Sequence, residues 1–148
     1  MEFNELAIIP SSAGISVPIN VMTPEVETNS ENTFAVNDTR KDKIESIILT
    51  DLDLTVTDPS NEDFSFLESV AIYMSADGLP EILLASRDNI PEQEVKLVMD
   101  TTGEDLQEYI KKDEFNIRIN AVTDELITSD YELNVHQIFW VDAKVLGQ

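Results

Sequence analysis

The amino-acid sequence predicts a mainly β protein, a two-layer antiparallel β-sandwich of seven to nine strands with one short helix. Three observations predict this class. Apolar residues alternate with polar ones through most of the chain, turn residues separate the alternating segments, and strands do not alternate with long helical segments. The 148 residues fit the common size of one domain, so we expect residues 1–148 to form a single β-sandwich domain.

The N-terminal part of the chain predicts one strand and one loop. Apolar residues alternate over residues 15–22, which is typical of a strand. Pro18 lies within this strand and cannot donate a ladder hydrogen bond, so the strand should lie at a sheet edge or carry a bulge. Residues 25–42 are rich in Glu, Asn, Thr and Asp, and they predict a long loop that holds one short strand at most.

Two long strands are expected over residues 43–58 and 131–146, and they should be neighbours in the middle of a sheet. The first has an apolar phase formed by Ile44, Ile48, Leu52, Leu54 and Val56. Three consecutive apolar residues at 47–49 interrupt this alternation, which indicates either burial on both faces or a β-bulge. The second strand loses its alternation at residues 138–140.

Shorter strands should complete the two sheets. Alternating apolar residues mark them near residues 70–75, 81–87, 95–99 and 115–121. The pair Asp77-Gly78 favours a tight reversal, so the first two of these strands should form a hairpin.

One segment departs from the strand pattern. Residues 102–112 begin with a threonine that is followed by acids, and they end in two lysines, which suits the dipole of a helix. Leu106, Tyr109 and Ile110 fall on one stripe at helical spacing. We expect a helix of about three turns here, packed on the side or end of the sandwich.

The charge balance and the composition exclude several classes of partner and site. The 30 acidic and 9 basic residues give a net charge of −21, which repels phosphate, so we expect no nucleic-acid partner. The chain has no cysteine, which excludes disulfides and thiolate metal sites. No apolar segment approaches about 18 residues, so no transmembrane segment is expected, although the native precursor could carry a leader and a lipid anchor.

The residues give little support for catalysis, and we expect neither enzymatic activity nor a cofactor. His136 is the only histidine, and its position predicts an ordinary strand residue that faces solvent or a second layer. Phosphate-binding glycine loops and nucleophile elbows are absent from the sequence. Asp51 and Asp53 should share a strand face at about 7 Å, but a chain this acidic produces such carboxylate pairs by chance.

Two sets of side chains are candidate binding residues. Asp58, Asn61 and Asp63 crowd one predicted turn and offer the oxygen ligands that calcium prefers, without the spacing of an EF-hand loop. Tyr73 and Trp140 are out of phase with the main apolar stripes, so they are candidates for contact with a protein or carbohydrate partner. Packing beneath the predicted helix is the alternative explanation for both aromatic residues.

Residues 47–59 (IILTDLDLTVTDP), followed by residues 66–75 (FLESVAIYMS), carry a resemblance to known proteins. The pattern resembles small exported or lipid-anchored β-sandwich proteins of unknown function from the bacterial cell envelope. More distantly it is similar to late-embryogenesis-abundant type-2 domains. The resemblance spans residues 43–146 and implies an immunoglobulin-like sandwich and an exported location, but it carries no functional residue.

We therefore expect a non-enzymatic domain of the cell envelope or the extracellular space that binds another macromolecule or supports an assembly. Two alternatives stay open. A carbohydrate-active or other hydrolytic accessory protein would need a deep cleft lined by carboxylates with raised pKa values. An acidic mimic that binds a basic partner site would need its acids concentrated on one face.

Overall fold

The computed structural model describes residues 1–11, 15–36, 41–60, 62–91 and 93–143, which form two stacked antiparallel β-sheets. Ten strands lie within these ranges: β1 (Glu2–Ile9), β2 (Pro18–Met22), β3 (Val26–Glu27), β4 (Ile44–Asp58), β5 (Leu67–Ala76), β6 (Leu79–Arg87), β7 (Lys96–Val98), β8 (Asp100–Thr101), β9 (Glu114–Thr123) and β10 (Tyr131–Ala143). The helical elements in the same ranges are α1 (Ser30–Val36), a 3-10 turn (Lys41–Lys43) and α2 (Gln107–Ile110).

The strand order confirms the predicted mainly β sandwich. One sheet has four strands in the order β1-β10-β4-β7, and the other has the order β2-β9-β5-β6-β8, with β3 also paired to β9. Neighbouring strands run antiparallel in both sheets. The two long strands, β4 and β10, are neighbours as predicted, and β2, which begins at Pro18, lies at a sheet edge as predicted.

The core lies between the sheets and follows the alternation of each strand. The inward side chains of β9 and β10 are buried: Phe115, Ile117, Ile119, Ala121, Leu133, Val135 and Phe139. Each large apolar side chain contributes about 1.5–3 kcal/mol when it is fully buried. The rings of Phe3, Phe115 and Phe139 pack edge to face at centroid distances of 5.5, 5.8 and 6.4 Å, which joins β1 to both sheets.

A β-bulge in β4 changes which of its residues face the core. The register against β10 skips Thr50, so two residues of β4 lie opposite one of β10. The buried phase therefore changes from even-numbered residues such as Leu52 to odd-numbered residues such as Ile47 and Leu49. Of the two predicted explanations for residues 47–49, the structure shows the bulge. The prediction that Ile48 shares the phase of Leu52 is wrong, because Ile48 is half-buried on the opposite face.

The predicted helix over residues 102–112 is wrong in length, since α2 has only four residues. The preceding residues pair with β4 instead: the Leu106 N–H donates to the Ile47 carbonyl at 2.7 Å, and the Ile47 N–H donates to Asp105 Oδ1 at 2.9 Å. Gly103 has a φ of +76°, which a right-handed helix excludes. None of the helices in the described ranges is long and apolar enough to cross a membrane.

The N-terminal part of the chain differs most from the predictions. β1 pairs with β10 over its whole length, although no strand was predicted there. The segment 25–42, predicted as a loop, contains α1 as well as the short strand β3. Ile15 and Val17 are exposed, so only Ile19 and Val21 of the first predicted strand pack against the core.

Candidate binding face

An exposed tryptophan lies on the outer face of the four-stranded sheet. Trp140 of β10 is 65% exposed, and Ile48 of β4 lies directly opposite it in the ladder. Ile138 precedes Trp140 by two residues on the same face of β10, and both isoleucines are half-buried. We call Ile48, Ile138 and Trp140 the Trp140 patch. An apolar patch with polar surroundings is typical of an interaction site, and tryptophan is frequent among residues that dominate binding energy.

The local backbone explains why these apolar side chains face outward. Phe139 is buried in the core, and because side chains alternate along a strand, Ile138 and Trp140 must leave the core on either side of it. Ile48 faces outward because the bulge at Thr50 reverses the phase of β4 before that position. The chain therefore places apolar residues on both faces of two neighbouring strands.

Carboxylates surround the Trp140 patch. Asp142 lies two residues beyond Trp140 on the same face, about 7 Å along the strand. Glu2 and Asp51 lie opposite Ile138 on the two neighbouring strands, so each is a diagonal neighbour of Trp140 at about 7–8 Å. All three carboxylates are exposed, and the sequences of β1, β4 and β10 contain no lysine or arginine. This part of the outer face is therefore negatively charged.

His136 occupies the next row of the same face and connects three strands. Its Nε2 lies 2.6 Å from Glu2 Oε2 on β1, and its Nδ1 lies 3.0 Å from Asp53 Oδ2 on β4. The hydrogen bonds to Glu2 and Asp53 raise the pKa of His136 above its ordinary value, and they outweigh the opposing effect of burial. Both ring nitrogens donate only in the imidazolium form, so the site favours the protonated histidine.

Tyr73, the other predicted aromatic contact, lies on the outer face of the second sheet and is covered. The guanidinium of Arg118 lies 4.3 Å from the centroid of the Tyr73 ring. The same guanidinium forms two bonds to Glu81, at 2.7 and 3.0 Å, and contacts Asn20. Tyr73 is half-buried beneath these side chains. The structure therefore separates the two candidate aromatics onto opposite outer faces.

The predicted calcium residues lie around the turn after β4. Asp58 is exposed at the end of the strand, and Asp63 Oδ1 accepts the N–H of Ser65 at 3.0 Å. Hydrogen bonds from Ser65 hold the pKa of Asp63 below its ordinary value. Asn61 lies outside the described residues. Within the described ranges no group of three or more His, Asp or Glu side chains is arranged to hold a metal ion, and calcium binding at this turn stays a prediction.

A second acidic region lies at one end of the sandwich. Glu25, Glu27, Asp113 and Glu114 are exposed and line open depressions. The hydrogen bond and the charge of Glu25, with smaller contributions from Glu27 and Asp113, raise the pKa of Glu114. These carboxylates are exposed in open depressions, whereas the carboxylate pair of a hydrolase lies in a cleft that encloses the substrate.

Sequence reasoning found part of the binding face and missed the rest. It identified Trp140 but not Ile48 and Ile138, since the three come together only through strand pairing and the bulge. It also missed the hydrogen bond between His136 and Glu2, because β1 was not predicted. The three apolar residues at 47–49 break the alternation within β4. They were the available sequence signal that one of them faces outward.

No family model matches this sequence, and no curated protein matches it. The resemblance to cell-envelope β-sandwich proteins and to late-embryogenesis-abundant type-2 domains stays a prediction from the strand pattern.

Proposed function

We propose that this protein is a non-enzymatic binding domain of the cell envelope or the extracellular space, and that it binds a macromolecular partner through the Trp140 patch. The observation that carries the proposal is the 65% exposure of Trp140 beside half-buried Ile48 and Ile138. A tryptophan side chain can bury roughly 150–250 Å² of surface, so a partner that covers this ring removes a large apolar area from water.

The sheet supports this proposal because it fixes the patch in place. β10 pairs with β1 on one side and with β4 on the other, and the Phe139 N–H donates to the Met1 carbonyl at 2.7 Å beside the patch. Side chains on a doubly paired strand lose little backbone freedom on binding, which lowers the entropic cost of association. Exposed apolar groups on a rigid surface are favourable anchors for a partner.

The hydrolytic alternative has weaker support. Asp51 and Asp53 share the outer face as predicted, but Asp53 bonds to His136 and Asp51 accepts the hydroxyl of Thr50 at 3.2 Å. Both carboxylates lie on the outer surface of a sheet. A general acid needs a desolvated carboxyl group, whereas Asp51 is exposed and Asp53 is held by His136.

The proposed location is supported by the composition. A net charge of −21 suits a protein outside the cell, where strong charge keeps proteins dispersed. The strand pattern that resembles envelope proteins points to the same compartment. Fractionation of the host cell with an antibody against this chain tests the location, and recovery in the cytoplasm alone would contradict it.

Site-specific photocrosslinking in the native host tests the binding proposal. A photoreactive phenylalanine analogue replaces Trp140 in one variant and Leu126 in the control, because Leu126 is 68% exposed and lies in the loop before β10. We expect position 140 to give one saturable adduct with a macromolecule, and position 126 to give none. The unlabelled wild-type chain should compete for the adduct, and the chain with Trp140→Ala should need an about threefold to fivefold higher concentration to compete equally. Equal labelling at both positions, or no adduct at position 140, would contradict the proposal.

A further inference from the structure

We infer that the partner presents an arginine-rich or lysine-rich segment to the Trp140 patch, with a cationic side chain over the indole ring and beside the carboxylates of Asp51 and Asp142. This inference rests on the proposed function and adds the chemistry of the partner. It follows from the combination of an exposed aromatic ring and a one-sided charge pattern.

The indole ring of Trp140 can bind a cation on its face. The negative face of an indole attracts a cation placed within about 6 Å of its centroid, and arginine also stacks on the ring plane. The same protein shows this contact internally, since Arg118 covers Tyr73 on the other sheet while bound to Glu81. Trp140 has a larger ring and neighbouring carboxylates, and at 65% exposure its ring is open to an incoming cation.

The carboxylates beside Trp140 can bind the same cation. Asp142 follows Trp140 on β10, Asp51 is its diagonal neighbour on β4, and Glu2 is its diagonal neighbour on β1. A planar guanidinium can stack on the ring and donate to a flanking carboxylate at the same time. No lysine or arginine occurs within β1, β4 or β10, but His136 bonds to Glu2 and the Met1 ammonium donates to the Phe139 carbonyl at 2.9 Å. Asp51 and Asp142 are therefore the carboxylates that a cation of the partner would meet.

Charge also decides between classes of partner. A nucleic acid or an anionic lipid surface would be repelled by these carboxylates and by the net charge of −21. A neutral carbohydrate could stack on the ring, but it would gain nothing from the charge of the surrounding acids. A basic protein segment gains from both the ring and the acids, and its association should be accelerated by the field of the chain.

The single tryptophan of the sequence makes the test direct. The intact chain is titrated with a peptide of alternating glycine and arginine, with its glycine–glutamate counterpart, and with cellohexaose, while the fluorescence of Trp140 is recorded. We expect the arginine peptide alone to change the fluorescence saturably. The affinity should fall as salt is added, because screening weakens the charge contacts.

Calorimetry on variants separates a built site from general charge attraction. Trp140→Ala should weaken binding of the arginine peptide about threefold to fivefold, the size of one exposed cation–π contact. The double variant Asp51→Asn with Asp142→Asn should weaken it at least as much. The matched control, Glu68→Gln with Asp88→Asn, removes the same charge from two exposed positions elsewhere and should have a smaller effect.

Several outcomes would overturn the inference. Equal binding by wild type and Trp140→Ala, or an equal loss in the two charge variants, would show charge attraction without a site. A response to cellohexaose but not to the arginine peptide would assign a carbohydrate partner. If the arginine peptide fails while the crosslink at position 140 persists, the partner chemistry is wrong and the proposed function stands.

Discussion

Trp140 lies directly opposite Ile48 in the antiparallel ladder between β10 and β4, and both side chains point away from the core. This pairing depends on the bulge at Thr50, because a regular strand would turn Ile48 inward. A single inserted residue therefore creates an apolar pair on the outer surface of the four-stranded sheet.

Substitution of two adjacent isoleucines tests which face of β4 each of them occupies. Ile47 is completely buried and Ile48 is half-buried on the outer face. We expect Ile47→Thr to lower the free energy of unfolding by about 2–4 kcal/mol, since it removes core packing and buries a hydroxyl. Ile48→Thr should cost less than about 1 kcal/mol. Urea denaturation measures both, and the reverse order of effects would show that Ile48 faces the core.

Deletion of Thr50 tests the bulge itself. Because Thr50 is the extra residue, its removal joins Leu49 to Asp51, and both keep their partners on β10 and their faces. We therefore expect the deletion to lower the free energy of unfolding, measured by urea denaturation, by less than about 1 kcal/mol. Deletion of Ser129, an exposed residue of the loop before β10, is the control and should cost about as little. In a strand without a bulge the deletion would turn core residues toward solvent, so a loss of more than about 3 kcal/mol for the Thr50 deletion alone would argue against the bulge.

The stability of the protein should depend on pH through His136. Its folded pKa is raised by Glu2 and Asp53, so its stabilising contribution is complete below the ordinary value near 6.5. The contribution is lost as the pH rises through the folded pKa. We expect wild type to exceed His136→Gln in unfolding free energy at pH 5.5 and to lose that advantage above neutrality. The difference should stay below about 1 kcal/mol, because the ion pair is partly exposed.

An NMR titration of the His136 ring gives the same information directly. A midpoint above that of a histidine in the unfolded chain is expected. A midpoint at or below it would show that the bonds to Glu2 and Asp53 do not form in solution.

Gln137 should be a weak point of the core. Its side chain is completely buried, and neither Oε1 nor Nε2 has a hydrogen-bond partner among the described residues. Replacing a buried amide without partners by an apolar side chain of similar size removes a desolvation cost. We expect Gln137→Met to raise the free energy of unfolding by about 1–2 kcal/mol.

Gln107→Met is the matched control for Gln137→Met. The Gln107 amide donates to the Glu45 carbonyl at 3.1 Å and to Asp105 Oδ2 at 2.6 Å, so its loss should destabilise the protein. Both variants are compared by urea denaturation. Destabilisation by Gln137→Met would show that the buried amide has partners after all.

The sequence predicted those strands whose two faces differ clearly in polarity. β9 alternates buried apolar residues such as Phe115 and Ile117 with polar ones, and Asp77-Gly78 forms the expected turn. β1 was missed because Leu6 and Ile8 are apolar on its outer face while Glu5 faces inward, which removes the alternation. β1 therefore forms because its backbone pairs with β10, although its own sequence does not alternate between apolar and polar residues.

The helix and the binding face were harder to predict for the same reason. Leu106, Tyr109 and Ile110 are all buried, as their helical spacing suggested, but Asp105 and Leu106 bond to the backbone of β4 instead of to a longer helix. Such long-range partners leave no local signal. The patch likewise depends on which residue of β4 lies opposite Trp140.

Quenching of the fluorescence of Trp140 by acrylamide in the free, folded chain tests the central claim most directly. No other tryptophan contributes to the signal. With 65% of the residue exposed, we expect a red-shifted emission and a quenching constant close to that of the same chain unfolded in urea. A blue-shifted emission that acrylamide hardly quenches would place the ring in the interior and contradict the binding face.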